Sequence, residues 1–523
     1  MIRYKCQKQM TLDGFVTPFQ TALDKNNRWV KMSTCIPWDE LAMGYYRGLS
    51  SDQGRPAKDA RLVIGAVIIK HKLSLSDEET VKQIQENPYL QFFVGLPGFQ
   101  TKQPFAPSLF VEIRRRMGEE AFKQFEQAIV DRIEKRSKQK TKRTKEKTDP
   151  PSGQGTSSSS SESEERAEDK REGKLIVDAT VAEQAIRYPT DLGLLNESRE
   201  ISERIIDELY RPSGLTKKPR TYRQKARKQY LAIVKQRRPG AKVRRRGIKQ
   251  QLQYLRRNFA HIENLLDFLP DAEIPLSYRM LRQYWIIQHI FSQQEEMHRT
   301  KTKRCDDRIV SIHQPHVRPI VRGKVNKSVE FGAKLNVSLS GNGLASIDHI
   351  GWGAYHEGTD LKSQVENYKT THGHYPEVVL ADPIYGTRSN RKYLKSHNIR
   401  YAGKPLGRPK KQTVENKEQL RNEKRRRREE YRQRIPIEGK FGQGKNGYRL
   451  NYIRAKTAKT SEAWIRSIFL VMNLLVLVKT FIFSHKNWQL NSAISRSELF
   501  EWCVLVMKRH IFPTDGAYCN HVR

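Results

Sequence analysis

A chain of 523 residues is long enough for two to four domains. It carries 97 Lys plus Arg against 57 Asp plus Glu, a formal charge of +40; nucleic acid is the first partner such an excess suggests, with a membrane surface and ribosomal or nonspecific RNA as rivals. Five cysteines, none at C-x-x-C spacing, point to neither a zinc ribbon nor a disulfide framework and fit a reducing compartment, and the polar Met1–Met10 stretch lacks the apolar core of a secretory leader.

Residues 1–55 are mixed, with Trp29, Trp38, Tyr45 and Tyr46 as candidate anchors of a small core or interface. Arg55-Pro56-Ala57 introduces a helix over Lys58–Lys72, where Leu62, Ala66 and Ile69 recur at helical spacing. Leu73–Asp77 reads as a turn whose Ser76 or Asp77 caps a helix over Glu78–Glu86, stopped by Asn87-Pro88. A third helix, Leu90–Leu96, ends at Pro97-Gly98, and another runs from Pro107-Ser108-Leu109 to about Arg136. Short helices joined by tight turns in a basic protein point to a helix-turn-helix-like DNA-binding module or, equally, to a plain helical bundle. Residues 1–134 are therefore read as a helical N-terminal DNA-binding domain. Residues 135–173 pass from a basic run through Asp149-Pro150-Pro151 and a serine run into an acidic patch. So few apolar residues cannot build a core, and a disordered linker is expected.

Lys174–Asp178, K-L-I-V-D, reads as a buried strand with a carboxylate at its tip. A very basic, mostly helical insertion at about 196–305 follows, with Tyr222 and Tyr230 among its Lys/Arg runs. It suits gripping phosphates better than being a merely solvated face. From Asp307 the pattern turns to period two. I-V-S-I-H, Lys327–Leu339 and Leu344–Gly351, with a turn at Ser340–Gly343, predict an antiparallel strand series. Gly358–Thr371 predicts a helix, Glu377–Asp382 a second apolar strand ending in Asp, Asn390–His397 a helix, and Ile399–Ala402 a short strand. Pro405–Lys411 is a basic loop, and Gln419–Arg434 a strongly charged helix. The most apolar run, Ile468–Val478, has Asn473 in its middle and Lys479 at its end. It is short for a bilayer span of about 20 residues and reads as a buried helix.

Tyr431–Lys445, Y-R-Q-R-I-P-I-E-G-K-F-G-Q-G-K, carries the densest chemistry. On a helix its Tyr431, Arg434, Glu438 and Lys445 fall at about 0°, 300°, 340° and 320°, within an arc of about 60°. One hydroxyl, one guanidinium, one carboxylate and one ammonium on a face suit a site that handles a metal ion and a phosphate together. Pro436 predicts a kink or a restart of the helix at that point. Asp178 and Asp382 at strand ends, with Glu438 on this face, are candidate ligands for two divalent cations.

These motifs resemble the DDE transposases of bacterial insertion sequences, in the group that carries the signature Y-x2-R-x3-E-x6-K. Tyr431, Arg434, Glu438 and Lys445 match that signature at every spacing, and the contexts Val177–Glu200, Ala381–Arg391 and Gly54–Leu62 are similar to the family as well. The resemblance covers roughly residues 10 to 480. It departs at Pro383-Ile384, where many relatives have a glycine, and in the tail after Lys486. The resemblance implies an α/β, RNase H-like mixed-sheet catalytic domain over 174–484 that contains the helical insertion, followed by a C-terminal tail, 485–523. It implies Asp178, Asp382 and Glu438 as metal-binding catalytic residues, two Mg²⁺ ions with Mn²⁺ as a substitute, and Tyr431, Arg434 and Lys445 as DNA contacts. It further implies double-stranded DNA, both transposon ends and target, as partner. A homodimeric synaptic complex, no membrane and a cytoplasmic, nucleoid-associated location follow from it too. A catalytically inactive or domesticated DNA-binding derivative is the alternative.

Overall fold

The computed structural model describes residues 22–49, 56–145, 171–268, 274–321, 329–407, 413 and 416–490. The serine run of the expected linker, most of the basic loop at 405–411 and the tail beyond Leu490 lie outside these residues.

Seven helices come first: α1 Arg28–Cys35, α2 Trp38–Tyr46, α3 Ala60–Lys72, α4 Asp77–Glu86, α5 Pro88–Phe93, α6 Leu109–Arg116 and α7 Glu119–Lys145. Their ends obey local chemistry. The Asp59 carboxylate accepts from the first N–H groups of α3, Ser76 caps α4, and Asn87 caps α5 with Pro88 in its first turn. The helix expected from Leu109 to Arg136 is two helices, broken at Met117-Gly118. Past Lys135, where the linker was expected to begin, α7 continues to Lys145; its Lys, Arg and Gln residues are good helix formers extending an established helix. The anchors Trp29, Trp38, Tyr45 and Tyr46 are all buried, and Phe93 meets both tryptophans edge-on. α3 and α4 pack as part of a helical bundle. Residues Ala60 to His71 of α3 are all buried, and the first turn of α4 carries Asp77, Glu78 and Glu79, which would repel phosphates.

The strands are β1 Lys174–Glu183, β2 Arg318–Val321, β3 Val329–Ser340, β4 Ala345–Gly351, β5 Val378–Ala381 and β6 Arg400–Ala402. Between β1 and β2 stand α8 Asp191–Tyr210, α9 Arg223–Val234, α10 Ala241–Asp267 and α11 Tyr278–Thr300, packed around an apolar core of their own. The alternating I-V-S-I-H run forms no strand; Ile312 packs into that helical core, and β2 lies further on. After β4 come α12 Leu361–His372, α13 Arg388–Ser396, α14 Lys417–Gly447 and α15 Ala458–Leu490.

β1 is central. It pairs antiparallel with β3 and parallel with β5, which pairs parallel with β6. β3 pairs antiparallel with both β2 and β4 on its other side. The sheet is therefore mixed, in the order β4-β3-β1-β5-β6 with β2 beside the start of β3. Side chains alternate across it. Leu175, Val177, Val379 and Ala381 face a core closed by α12 and α13, whereas Ile176, Leu335, Val337 and Leu380 face a core shared with α14, α15 and the N-terminal helices.

α15 joins the two halves of the molecule by packing on α3, α6, α7 and β4. Its Ala458–Phe481 stretch is long and apolar enough to cross a membrane, but most of it is buried inside the protein. Asn473, the polar break in that run, is docked rather than exposed: its amide donates to the Ala345 carbonyl at 2.8 Å and accepts from the Ala345 N–H at 2.9 Å. Asn473→Leu would keep the branched side-chain shape and orphan two buried backbone groups. Urea unfolding should show a loss of about 1–3 kcal/mol.

Candidate active site

Strand register creates the site. β1 and β5 run in parallel with Val177 opposite Ala381, so the next residues, Asp178 and Asp382, are neighbours. Period two places Asp178 on the face of Ile176 and Asp382 on the face of Leu380, the face on which α14 lies through Ile437 and Phe441. Asp178 is not at a strand tip as the sequence suggested. It sits in the middle of a ten-residue strand, and it meets Asp382 because β5 stops at Ala381.

α14 runs unbroken through Pro436 from Lys417 to Gly447, so the expected restart does not occur. Proline removes the bond that would join residue 436 to the Arg432 carbonyl; both residues are on the exposed side of the helix, where water replaces it. The buried side carries Glu430, Arg434, Ile437, Phe441 and Gly444. Tyr431 and Glu438 stand at its rim, 63% and 52% exposed. Lys445 is half-buried two turns beyond Glu438, about 10 Å along the axis. The signature face thus survives, with Arg434 turned inward.

All three candidate carboxylates converge on Arg434. Its Nη1 lies 3.1 Å from Asp178 Oδ2 and 2.9 Å from Asp382 Oδ1, and its Nη2 lies 2.6 Å from Glu438 Oε1. The guanidinium is 10% exposed and rests 5.3 Å from the centre of the Tyr431 ring. Burial pushes the Asp178 carboxyl up to about 6, and the nearby Asp382 charge adds to this; the Ala179 N–H and Arg434 only partly oppose it. Burial works against the charge of Arg434 too, but Asp382, Asp178 and Glu438 outweigh it and its pKa is raised. Among the described residues no three His, Cys, Asp or Glu side chains already form a metal-ligating group. The donor set nevertheless suits a hard divalent cation: carboxylate oxygens from three elements meet at one cation the size of a guanidinium.

A cavity of about 720 Å³ opens beside this cluster, lined by Asp382, Tyr431 and Arg434 and by Lys424, Arg427 and Arg428 of the preceding α14 turns. Behind the cluster is a buried polar network that sequence reading missed. The Tyr385 hydroxyl donates to Asn336 Oδ1 at 2.6 Å, and Asn336 Nδ2 donates to Asp360 Oδ2 at 3.0 Å. His349 Nδ1 lies 2.7 Å from the same Asp360 oxygen. Tyr401 donates to the Asp382 carbonyl at 3.1 Å, fixing the turn that presents that carboxylate. The signal was the series Lys334, Asn336, Ser338 on β3, which reads as a solvent face; all three are buried beneath α12 and the helical turn Glu357–Asp360.

Residues 379–475, which include Asp382, Glu438 and Lys445, match the family model described as "Transposase DDE domain". Residues 18–116, most of the N-terminal bundle, match "Transposase domain (DUF772)". Both matched segments are thus similar to transposase families, one of them through the stretch that carries two of the three candidate carboxylates. The chain is 37% identical over 123 residues to "Uncharacterized protein ORF8 in nfe locus" of Rhizobium meliloti. That alignment covers 23% of this chain and 54% of the relative, so the chain spans about half the length of the curated relative it matches. No solved structure matches.

A carboxyl whose pKa rises from 3.8 to about 6 on folding holds a proton that the unfolded chain releases. Stability from Asp178 is then full below pH 3.8 and lost as pH rises through about 6. Asp178→Asn, which keeps the oxygen that accepts from Ala179, should be more stable than the native chain at pH 8 by about 1–3 kcal/mol. In urea melts the gap should close towards pH 4; a gap independent of pH would contradict the raised pKa.

Proposed function

We propose that this chain is the transposase of an insertion sequence, binding the element's terminal inverted repeats and catalysing metal-dependent phosphodiester hydrolysis followed by 3′-hydroxyl strand transfer into target DNA. The observation that carries the reading is the convergence of Asp178, Asp382 and Glu438 from β1, β5 and α14. The strand order, with an antiparallel β4-β3-β1 half joined to a parallel β1-β5-β6 half, supports an RNase H-like core. The domain assignment follows: an N-terminal bundle, expected at 1–134 and extended by α7 to Lys145, that takes part in DNA binding, then a linker up to residue 173, and a catalytic unit at 174–484 with its helical insertion.

Asp178, Asp382 and Glu438 would hold Mg²⁺, or Mn²⁺ in its place, as two ions. Metal held there supplies an activated water or 3′-hydroxyl and stabilises the leaving oxygen. Tyr431 offers a hydroxyl and ring at the mouth of the cavity, Lys445 extends the same helix face, and Arg434 supplies a bidentate fork for phosphate. Arg237, Arg238 and Arg244–Arg246, all solvent-exposed around the α9–α10 connection, add sequence-independent grip on the DNA backbone. Action on paired ends makes a homodimeric synaptic complex the working form, and DNA as substrate makes the cytoplasmic nucleoid its location.

A duplex carrying the element's own end should be nicked at that end by the native protein with Mg²⁺. Glu438→Gln should bind the duplex with unchanged affinity and lose at least about 10³-fold in nicking rate. Binding without nicking by the native chain would favour the inactive, DNA-binding alternative, and nicking by Glu438→Gln would remove that carboxylate from the chemistry. Affinity for the duplex should fall at least about tenfold between 50 and 200 mM salt.

A further inference from the structure

We propose that Arg434 is an internal cation that competes with the divalent metal for the carboxylate triad, so that metal entry releases its guanidinium for the DNA phosphate. The inference rests on the reading of Asp178, Asp382 and Glu438 as metal ligands and adds a control over when they bind. Nη1 of Arg434 bridges Asp178 and Asp382, and Nη2 takes Glu438. One oxygen of each carboxylate is therefore committed to the guanidinium, and these oxygens are directed at a common point. A hard cation at that point needs the same lone pairs. Guanidinium pairing and metal coordination thus exclude one another, at least in part.

Charge reinforces the exclusion. Three carboxylates and one guanidinium sum to −2, whereas two divalent ions beside a retained guanidinium would bring the cluster to +2 around the largely buried side chains of Asp178 and Arg434. With the guanidinium withdrawn the cluster is +1, and one phosphodiester neutralises it. Metal, phosphate and an outward-turned Arg434 therefore form a consistent set, while metal with an inward Arg434 does not.

The surroundings allow the side chain to turn. Arg434 borders the cavity of about 720 Å³, whose wall also carries Lys424, Arg427 and Arg428, so a phosphate drawn there would meet cations on several sides. The Tyr431 ring lies 5.3 Å from the guanidinium and offers a stacking surface at the rim. Nor does Arg434 alone hold α14 in place. Ile437 and Phe441 are in the core, Glu430 pairs with Arg400 of β6, and Lys174 of β1 donates to Gln433 at 2.9 Å. Substitution at 434 should leave the helix docked.

Mn²⁺ binding to the full chain without DNA, followed by electron paramagnetic resonance near about pH 7.5, tests this directly. Arg434→Gln should bind Mn²⁺ about tenfold or more tightly than the native chain. Arg434→Lys, which retains a positive charge, should fall between the two. Asp382→Asn, introduced into the Arg434→Gln protein, should reverse the gain. Equal or weaker binding by Arg434→Gln, with Asp382→Asn still lowering it, would overturn the competition and leave the triad as the metal site. If Asp382→Asn has no effect in that background, the metal-site reading itself fails. Should Arg434→Gln not fold, judged by circular dichroism, Arg434→Lys decides: binding no tighter than the native chain overturns the proposal.

Discussion

The pairing of Val177 with Ala381 across two parallel strands governs the rest of the molecule. Because β5 ends there while β1 continues, two aspartates emerge side by side on one face of the sheet. Holding two carboxylates at close range, with Asp178 largely out of water, is unfavourable unless a cation joins them. α14 brings that cation, Arg434, together with a third carboxylate one turn on. Docking α14 through Ile437 and Phe441 therefore also neutralises part of the charge that the strand register creates.

The N-terminal helices and the catalytic sheet are not independent modules joined by a tether. Their apolar residues form one core, with α15 running through it. α7 lies along α15, and Glu126 of α7 accepts from the Ser346 hydroxyl of β4 at 2.8 Å. The four-helix insertion differs, for it keeps its apolar residues in a separate core and turns a basic surface outward. Its large positive charge would be costly anywhere else in the fold, and outward placement lets counterions or nucleic-acid phosphates screen it.

The polar network behind the cluster has a different task. Tyr385, Asn336 and Asp360 are hydrogen-bonded in a chain beneath α12. Buried and satisfied polar groups of this kind resist rearrangement, so they hold the Asp382 turn steady beneath the solvent-facing side of α14.

Much of this was legible from residue order alone. Periodicity and capping residues located most helices of the bundle, the two apolar strands, the buried C-terminal helix and the long charged helix. Offsets of 3, 7 and 14 along α14 put the signature residues on one face without any neighbour being known. Local sequence failed where the answer depended on partners. Asp178 lies mid-strand because β1 goes on pairing with β3 after β5 has stopped. The I-V-S-I-H alternation packs a helical core instead of pairing. Pro436 stays inside its helix because the bond it breaks lies on the wet side. Polar residues on β3 are buried because α12 covers them. Least legible of all was Arg434. Sequence marked it as a cation on a functional face, and only the tertiary structure, by bringing three carboxylates within hydrogen-bonding distance, decided that it faces inward.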